Sequence, residues 1–216
     1  MTIHLINGYN YDSNIFVITG KIPTIIDTGT GLYHNQVARS IQAIIDPFEI
    51  QQIILTHEHF DHCGGVKKIA DLSKNNPSII AHKIASKKIE QGESSFAQLL
   101  GGIMPHMPVD IKVQGGEKIP IGNHQYTCYH TPGHTPGCIC LYCAENKTLF
   151  SGDTVFANGS FGRTDFPGGN TNQLIESIAM IATLDVENLF PGHESIVQGN
   201  GNAHIASSYQ NIRYLG

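Results

Sequence analysis

Residues 56–62 read Thr-His-Glu-His-Phe-Asp-His and come directly after the apolar run Ile53-Ile54-Leu55. Four strong metal-ligand side chains therefore leave the end of a buried strand within six positions. Imidazole and carboxylate are suitable donors for zinc, iron or manganese. The two-residue spacing of His57 and His59 lets an extended segment aim both rings at one point. Asp61 and His62 stand where the next helix begins and project differently, so one short stretch can serve two adjacent points. Glu58 and Phe60 read as spacers whose side chains point elsewhere, and Gly64-Gly65 allows a tight entry into that helix.

Four donors exceed the three that one catalytic ion takes from a protein, and fall short of filling two ions. The missing donors should stand on loops after other strands. Three do: His134 in HTPGHTPG, Asp153 in LFSGDT and His193 in FPGHE, each after an apolar run and beside glycine. Of the twelve histidines, His4, His34, His82, His106, His124 and His204 lack that context and read as surface or hydrogen-bonded residues. His130 is expected either to support the site from behind or to serve a structural role.

Short β-rich runs alternate with helical stretches. Strands are predicted at 3–6, 14–19, 24–27, 52–56, 78–81, 126–130, 139–143, 148–151 and 188–190. Helices are predicted at 32–45, 65–73, 84–91, 173–184 and 203–215. Thr171 or Asn172 is expected to cap the fourth, and Asp46-Pro47 to stop the first. The runs NIFVITGKIPTIIDTG and CICLYCAENKTLFSGDT share an outline of strand, turn, strand, then Asp beside Gly and Thr. This echo suggests two β-rich halves forming packed sheets with helices outside, in a single domain over residues 1–216. The glycine-rich segment 92–108 matches neither period and reads as a mobile connection of the sort that lines substrate pockets.

A chain of 216 residues with 40% hydrophobic and 14% charged residues is of ordinary globular composition. A net charge of -5 gives no basic footprint for nucleic acid. No apolar run approaches the roughly 18 residues of a membrane span, and MTIHLINGYNYDSNIF does not read as a signal peptide. An odd count of five cysteines argues against a disulfide framework. The expected compartment is a reducing cytoplasm. Cys138, Cys140 and Cys143 read as core residues, and Cys63 as lying near the mouth of the site.

In this order THEHFDH, TPGHT, SGDT and PGH resemble the metallo-β-lactamase superfamily, with the match running from IIDTG around Asp27 to PGHE at His193. The resemblance implies an α/β fold, an αββα sandwich of two mixed β-sheets with helices on the outer faces. It implies two divalent metal ions, zinc first, with iron or a mixed pair as alternatives. One ion goes to His57, His59 and His134, the other to Asp61, His62 and His193, with Asp153 bridging and Asp27 behind the ligands. Two cations roughly 3.5–4 Å apart yield a bridging hydroxide that attacks a carbonyl, with Asp61 taking or orienting its proton. A thiolate leaving group needs little acid help, so a small-molecule thioester is the expected substrate.

FGRTDFPGG at 161–169 further resembles the loop after the bridging aspartate in single-domain glyoxalase II-like proteins (hydroxyacylglutathione hydrolases) and in persulfide dioxygenases. There the residue matching Arg163 lies near substrate, although Arg163 can equally pair with Asp165 to shape the loop. A mononuclear iron persulfide dioxygenase on His57, His134 and Asp153 is the alternative activity. Lactone or phosphoester hydrolysis on the same site is the third.

Overall fold

A computed structural model describes residues 1–214, and the alternation of apolar and amphipathic runs becomes eleven strands and seven α-helices among them. In chain order the first are β1 (Ile3–Ile6), β2 (Ile15–Ile18), β3 (Thr24–Ile26), α1 (His34–Ile44), β4 (Gln52–Leu55), α2 (Phe60–Cys63), α3 (Val66–Ser73), β5 (Ser78–His82), α4 (Lys83–Gln91) and α5 (Ser95–Leu99). After these come β6 (Ile111–Val113), β7 (Lys118–Ile121), β8 (His124–His130), β9 (Ile139–Cys143), β10 (Thr148–Gly152), α6 (Thr171–Ile181), β11 (Asn188–Pro191) and α7 (Gly201–Ile212). The chain divides into two compact units, one of residues 1–113 with 120–124, the other of 114–119 with 125–216.

The first unit is built on a six-stranded mixed sheet in the order β1-β2-β3-β4-β5-β6. β2 and β3 pair antiparallel, and β3, β4, β5 and β6 run parallel. Parallel strands covered on both faces read as unbroken apolar runs, which is why β4 carries Ile53, Ile54 and Leu55 without alternation. Val37 and Ile41 of α1, Val66 and Ile69 of α3 and Ala85 and Ile89 of α4 bury their apolar faces in the same core. The second unit has a five-stranded mixed sheet in the order β11-β10-β9-β8-β7, with only β10 and β11 parallel. Its core joins Cys140, Tyr142 and Leu149 to Leu174 and Ile178 of α6 and to Ile205 and Ile212 of α7.

The internal echo becomes the same device in each unit. β2–β3 and β9–β10 are antiparallel hairpins, each leading into an aspartate and each paired to a parallel strand. Two strands escape the sequence pattern, β6 and β7. Each is an edge, three residues long with Lys112 in the first case and interrupted by Pro120 in the second. Short, charged or proline-bearing strands are how sheets protect an edge, and three or four residues give any alternation little length in which to show.

Some expectations are corrected. The cap of α6 is Asn170, whose side chain accepts from the Gln173 amide, and Thr171 is already helical. The helix expected at 203–215 begins earlier, and Leu215 lies outside the described residues. The segment 92–108 contains α5, and Ala97 and Met104 anchor it in the core. Cys63 lies wholly in the core, its thiol donating to the His59 carbonyl and touching Met104. Among the described residues no helix is long and apolar enough to cross a membrane.

Candidate metal centre

In the first unit the donors gather at the carboxyl end of β4. His57 and His59 stand in the turn after the strand, and Asp61 and His62 lie in α2, a one-turn helix separate from α3. The rings of His57 and His59 have centroids 4.9 Å apart, those of His57 and His62 4.0 Å apart. Asp61 Oδ2 lies 3.7 Å from His62 Nε2. Three of these side chains are nearly or wholly buried: His57, His59 and His62. The helix is held in place by its backbone. The Asp61 carbonyl accepts from the Ser13 amide, and the His62 carbonyl accepts from the Thr28 amide and hydroxyl.

Asp27 explains the orientation of the rings. It sits directly after β3 with φ 58°, a left-handed conformation that turns its carboxylate back toward β4. Its Oδ1 accepts from the Thr56 amide at 2.8 Å, and its Oδ2 from the Thr56 hydroxyl at 2.7 Å. Oδ2 also accepts from His62 Nδ1 at 2.9 Å. A carboxylate only accepts, so His62 carries its proton on Nδ1 and presents the Nε2 lone pair. The Thr56 hydroxyl spends its one proton on Asp27 and so accepts from His57 Nδ1, 3.2 Å away. His57 likewise presents Nε2.

The second unit repeats the arrangement with other partners. Its donors are His134 after β8, Asp153 after β10 and His193 after β11. His134 Nδ1 donates to the Arg163 carbonyl at 2.7 Å, and its Nε2 lies 3.4 Å from Asp153 Oδ2. His193 Nε2 lies 3.7 Å from the same oxygen. Gly162 is required here, because a Cβ would stand 2.0 Å from the Asp153 carbonyl oxygen and 2.9 Å from His134 Cγ. His130 is not with these donors. Its Nε2 donates to the Pro136 carbonyl and shapes the loop that carries His134.

The Arg163 guanidinium is exposed, forms a two-point pair with Asp165 and lies 4.3 Å over the Phe166 ring. Glu58 is buried, its carboxylate 3.5 Å from Lys88 Nζ on α4. Burial pushes the Cys63 thiol well above its ordinary range, with the carboxylates of Glu58, Asp61 and Asp27 adding to the effect. His82, at the end of β5, and His106 and His204 each hydrogen-bond a backbone group. Sequence reasoning missed Thr56, the Arg163 carbonyl and Phe96. Thr56 adjoins the histidine run, whereas the other two carry no local signal.

The donor chemistry fits divalent metals. His57, His62 and His134 each have Nδ1 tied back and Nε2 presented, and carboxylates stand within 4 Å of two of those Nε2 atoms. A family model for the metallo-beta-lactamase superfamily matches residues 8–193. The chain belongs to that superfamily. It is 34% identical over 197 residues to a probable metallo-hydrolase of Methanocaldococcus jannaschii, covering 88% of this chain and 92% of the relative. It is 31% identical over 183 residues to the hydroxyacylglutathione hydrolase GloC of Haemophilus influenzae, covering 82% of each. The solved structure of TTHA1623 in a di-iron-bound form superposes with a TM-score of 0.74 at 26% identity, over 90% of this chain and 94% of that one. Two mixed sheets with their helices are thus the metallo-β-lactamase α/β fold, and the superfamily is one of metal-dependent hydrolases.

Proposed function

We propose that this chain is a binuclear metal-dependent thioester hydrolase of the glyoxalase II type, acting in the cytoplasm on a small-molecule thioester. In this reading His57, His59 and His134 hold one divalent ion and Asp61, His62 and His193 hold the second. Asp153 bridges them. The observation that carries this reading is the shared tautomer: three histidines from the two units are held by Nδ1 and offer Nε2. Such backing partners fix ring orientation and raise ligand basicity. The likeness to GloC supports the thioester, and five buried free cysteines suit a reducing compartment.

Divalent ions at such a site, zinc or iron, acidify water and polarise a substrate carbonyl. The chain's own groups do the rest. Asp61 is partly exposed and accepts a proton from the attacking water at Oδ2. Asp27 keeps His62 from taking that proton at Nδ1, because that atom is already protonated. The products are a carboxylate and a thiol, and a thiol leaves readily as thiolate. Arg163, on the loop that orients His134, meets the polar end of the substrate in this proposal once its pair with Asp165 opens.

Metal analysis of anaerobically purified protein, paired with hydrolysis of S-D-lactoylglutathione and of simple acyl thioesters, tests this. Two ions per chain with thioester hydrolysis abolished by chelation is expected. One iron per chain with oxygen consumption on glutathione persulfide overturns it.

A further inference from the structure

Segment 94–105 carries Leu99 and Ile103, the two most exposed large apolar side chains among the described residues of the first unit, on a well-anchored frame. α5 presents Phe96 and Leu99 three residues apart, which places them on one face of the helix. The Phe96 ring meets His59 edge-on, with centroids 4.8 Å apart. Leu99 is 77% exposed and Ile103 90% exposed. The frame beneath is fixed. Ala97 and Met104 are buried, and the Gly102 amide donates to the Ala97 carbonyl at 2.7 Å. The backbone at Gly102 also lies close over the Phe60 ring. Leu99 and Ile103 are thus held in water by well-packed neighbours.

Ile103 forms one edge of a groove of about 530 Å³, with Leu32, Phe60 and Pro105 as its other apolar walls. That volume lies within the ~300–1,000 Å³ of small-molecule sites. Of the cations on its rim, Lys67 pairs with Asp71 and Lys68 is turned to the Gly31 carbonyl. The apolar walls ask for an apolar occupant. Single exposed apolar residues are ordinary, but apolar side chains gathered on one short segment beside a candidate ligand suit a binding surface.

We infer that Phe96, Leu99 and Ile103 bind the apolar acyl chain of the substrate, so the preferred thioesters carry a medium-length aliphatic acyl group. This rests on the thioester-hydrolase reading. In the reaction the water oxygen bonds to the acyl carbon as the carbon–sulfur bond breaks. One proton passes to the departing thiolate, and the acid product ionises. The acyl chain lies along α5 and the groove while its carbonyl stands beside His59.

The test is a series of N-acetylcysteamine thioesters from acetyl to octanoyl, which holds the thiol constant. For the metal-loaded protein kcat/KM should rise about two- to fourfold per methylene, the ratio that burying a methylene supplies. The Leu99→Ser/Ile103→Ser double variant should flatten that slope, and Ile103→Leu should retain it. Both side chains are exposed, so folding is preserved, and a thermal melt checks this. A flat series in the unaltered protein, or an unchanged slope in the double variant, overturns the inference while thioester hydrolysis stands. If no thioester is hydrolysed at all, the parent reading fails. Calorimetric titration with decanoate then decides the surface on its own: binding that the double variant loses upholds it, and no binding overturns it.

Discussion

Asp27→Asn separates the metal chemistry from the fold. Asparagine tolerates the left-handed backbone at φ 58° better than any residue but glycine, so the turn itself survives. Its amide has one accepting oxygen where aspartate has two. Placing the nitrogen opposite the Thr56 amide sets donor against donor, so the oxygen stays there and the nitrogen takes the place of Oδ2. That NH₂ then faces the Thr56 hydroxyl, which can accept, and His62 Nδ1, which must accept as well. His62 is driven to the other tautomer, and its proton moves to Nε2, the atom offered to metal. Loss of such a backing partner lowers metal affinity by ~10–100-fold, or roughly 1.4–2.8 kcal/mol. The exchange of a charged for a neutral acceptor costs the fold roughly 1–3 kcal/mol. On the binuclear reading proposed above, chelator competition with metal counting should show one of the two ions weakened by that factor. Imidazole ¹⁵N shifts of the metal-free protein should show the His62 tautomer reversed. Wild-type affinity for both ions, or an unchanged tautomer, refutes the reasoning.

Other perturbations give distinct outcomes. Gly162→Ala drives a methyl against the Asp153 carbonyl and His134, so a loss of about 1–3 kcal/mol in a denaturant titration is expected; an unchanged midpoint contradicts the close approach. Arg163→Ala should leave metal stoichiometry intact, since the backbone carbonyl holds His134 and the exposed pair with Asp165 is worth at most ~1 kcal/mol; loss of metal in that variant argues against this division of labour. Burial pushes the Cys140 thiol up to about 11 and that of Cys128 to about 12. The native chain therefore keeps protons that an unfolded thiol gives up near pH ~8.5. The stabilisation is whole below that pH and falls as pH rises toward 11, so the urea midpoint should drop between pH 8 and pH 10. Reaction of all five thiols with a thiol reagent at pH 8 without denaturant contradicts their burial.

Legibility in the sequence depended on the physics of each element. β4 was plain because a strand buried on both faces leaves an unbroken apolar run, and its donors come at once in THEHFDH. The candidate donors at 153 and 193 stand out for the same reason, each being a polar residue just past a buried strand, while His134 follows the half-buried β8. The features that stayed hidden depend on contacts distant along the chain. Arg163 is conspicuous for its guanidinium, yet its carbonyl is the group that reaches His134, and no sequence pattern encodes a carbonyl. Phe96 lies in a segment without periodicity, and its relation to His59 arises only when α5 docks beside α2. Cys63 defied expectation because adjacency to His62 in sequence is not adjacency at the mouth. On a one-turn helix the next residue points about 100° away, here into the core.

The two aspartates of the internal echo show how one local pattern yields two chemical roles. Each ends a hairpin and lies beside a parallel neighbouring strand. Next to Asp27 the neighbour is β4, which continues into Thr56, and that residue supplies an amide and a hydroxyl to pin the carboxylate. Next to Asp153 the neighbour is β11, which ends in Pro191 and leads into Gly192. Proline has no amide hydrogen, and the Gly192 amide is spent on the Gly152 carbonyl. The register also shifts between Phe150 and Gly152, re-aiming the residues just past the strand. The Asp153 Oδ2 stands within 4 Å of both His134 and His193. The donors of the adjoining strand thus pin the carboxylate of Asp27 toward His62, whereas Asp153 meets His134 and His193, which suits the ligand role proposed for it.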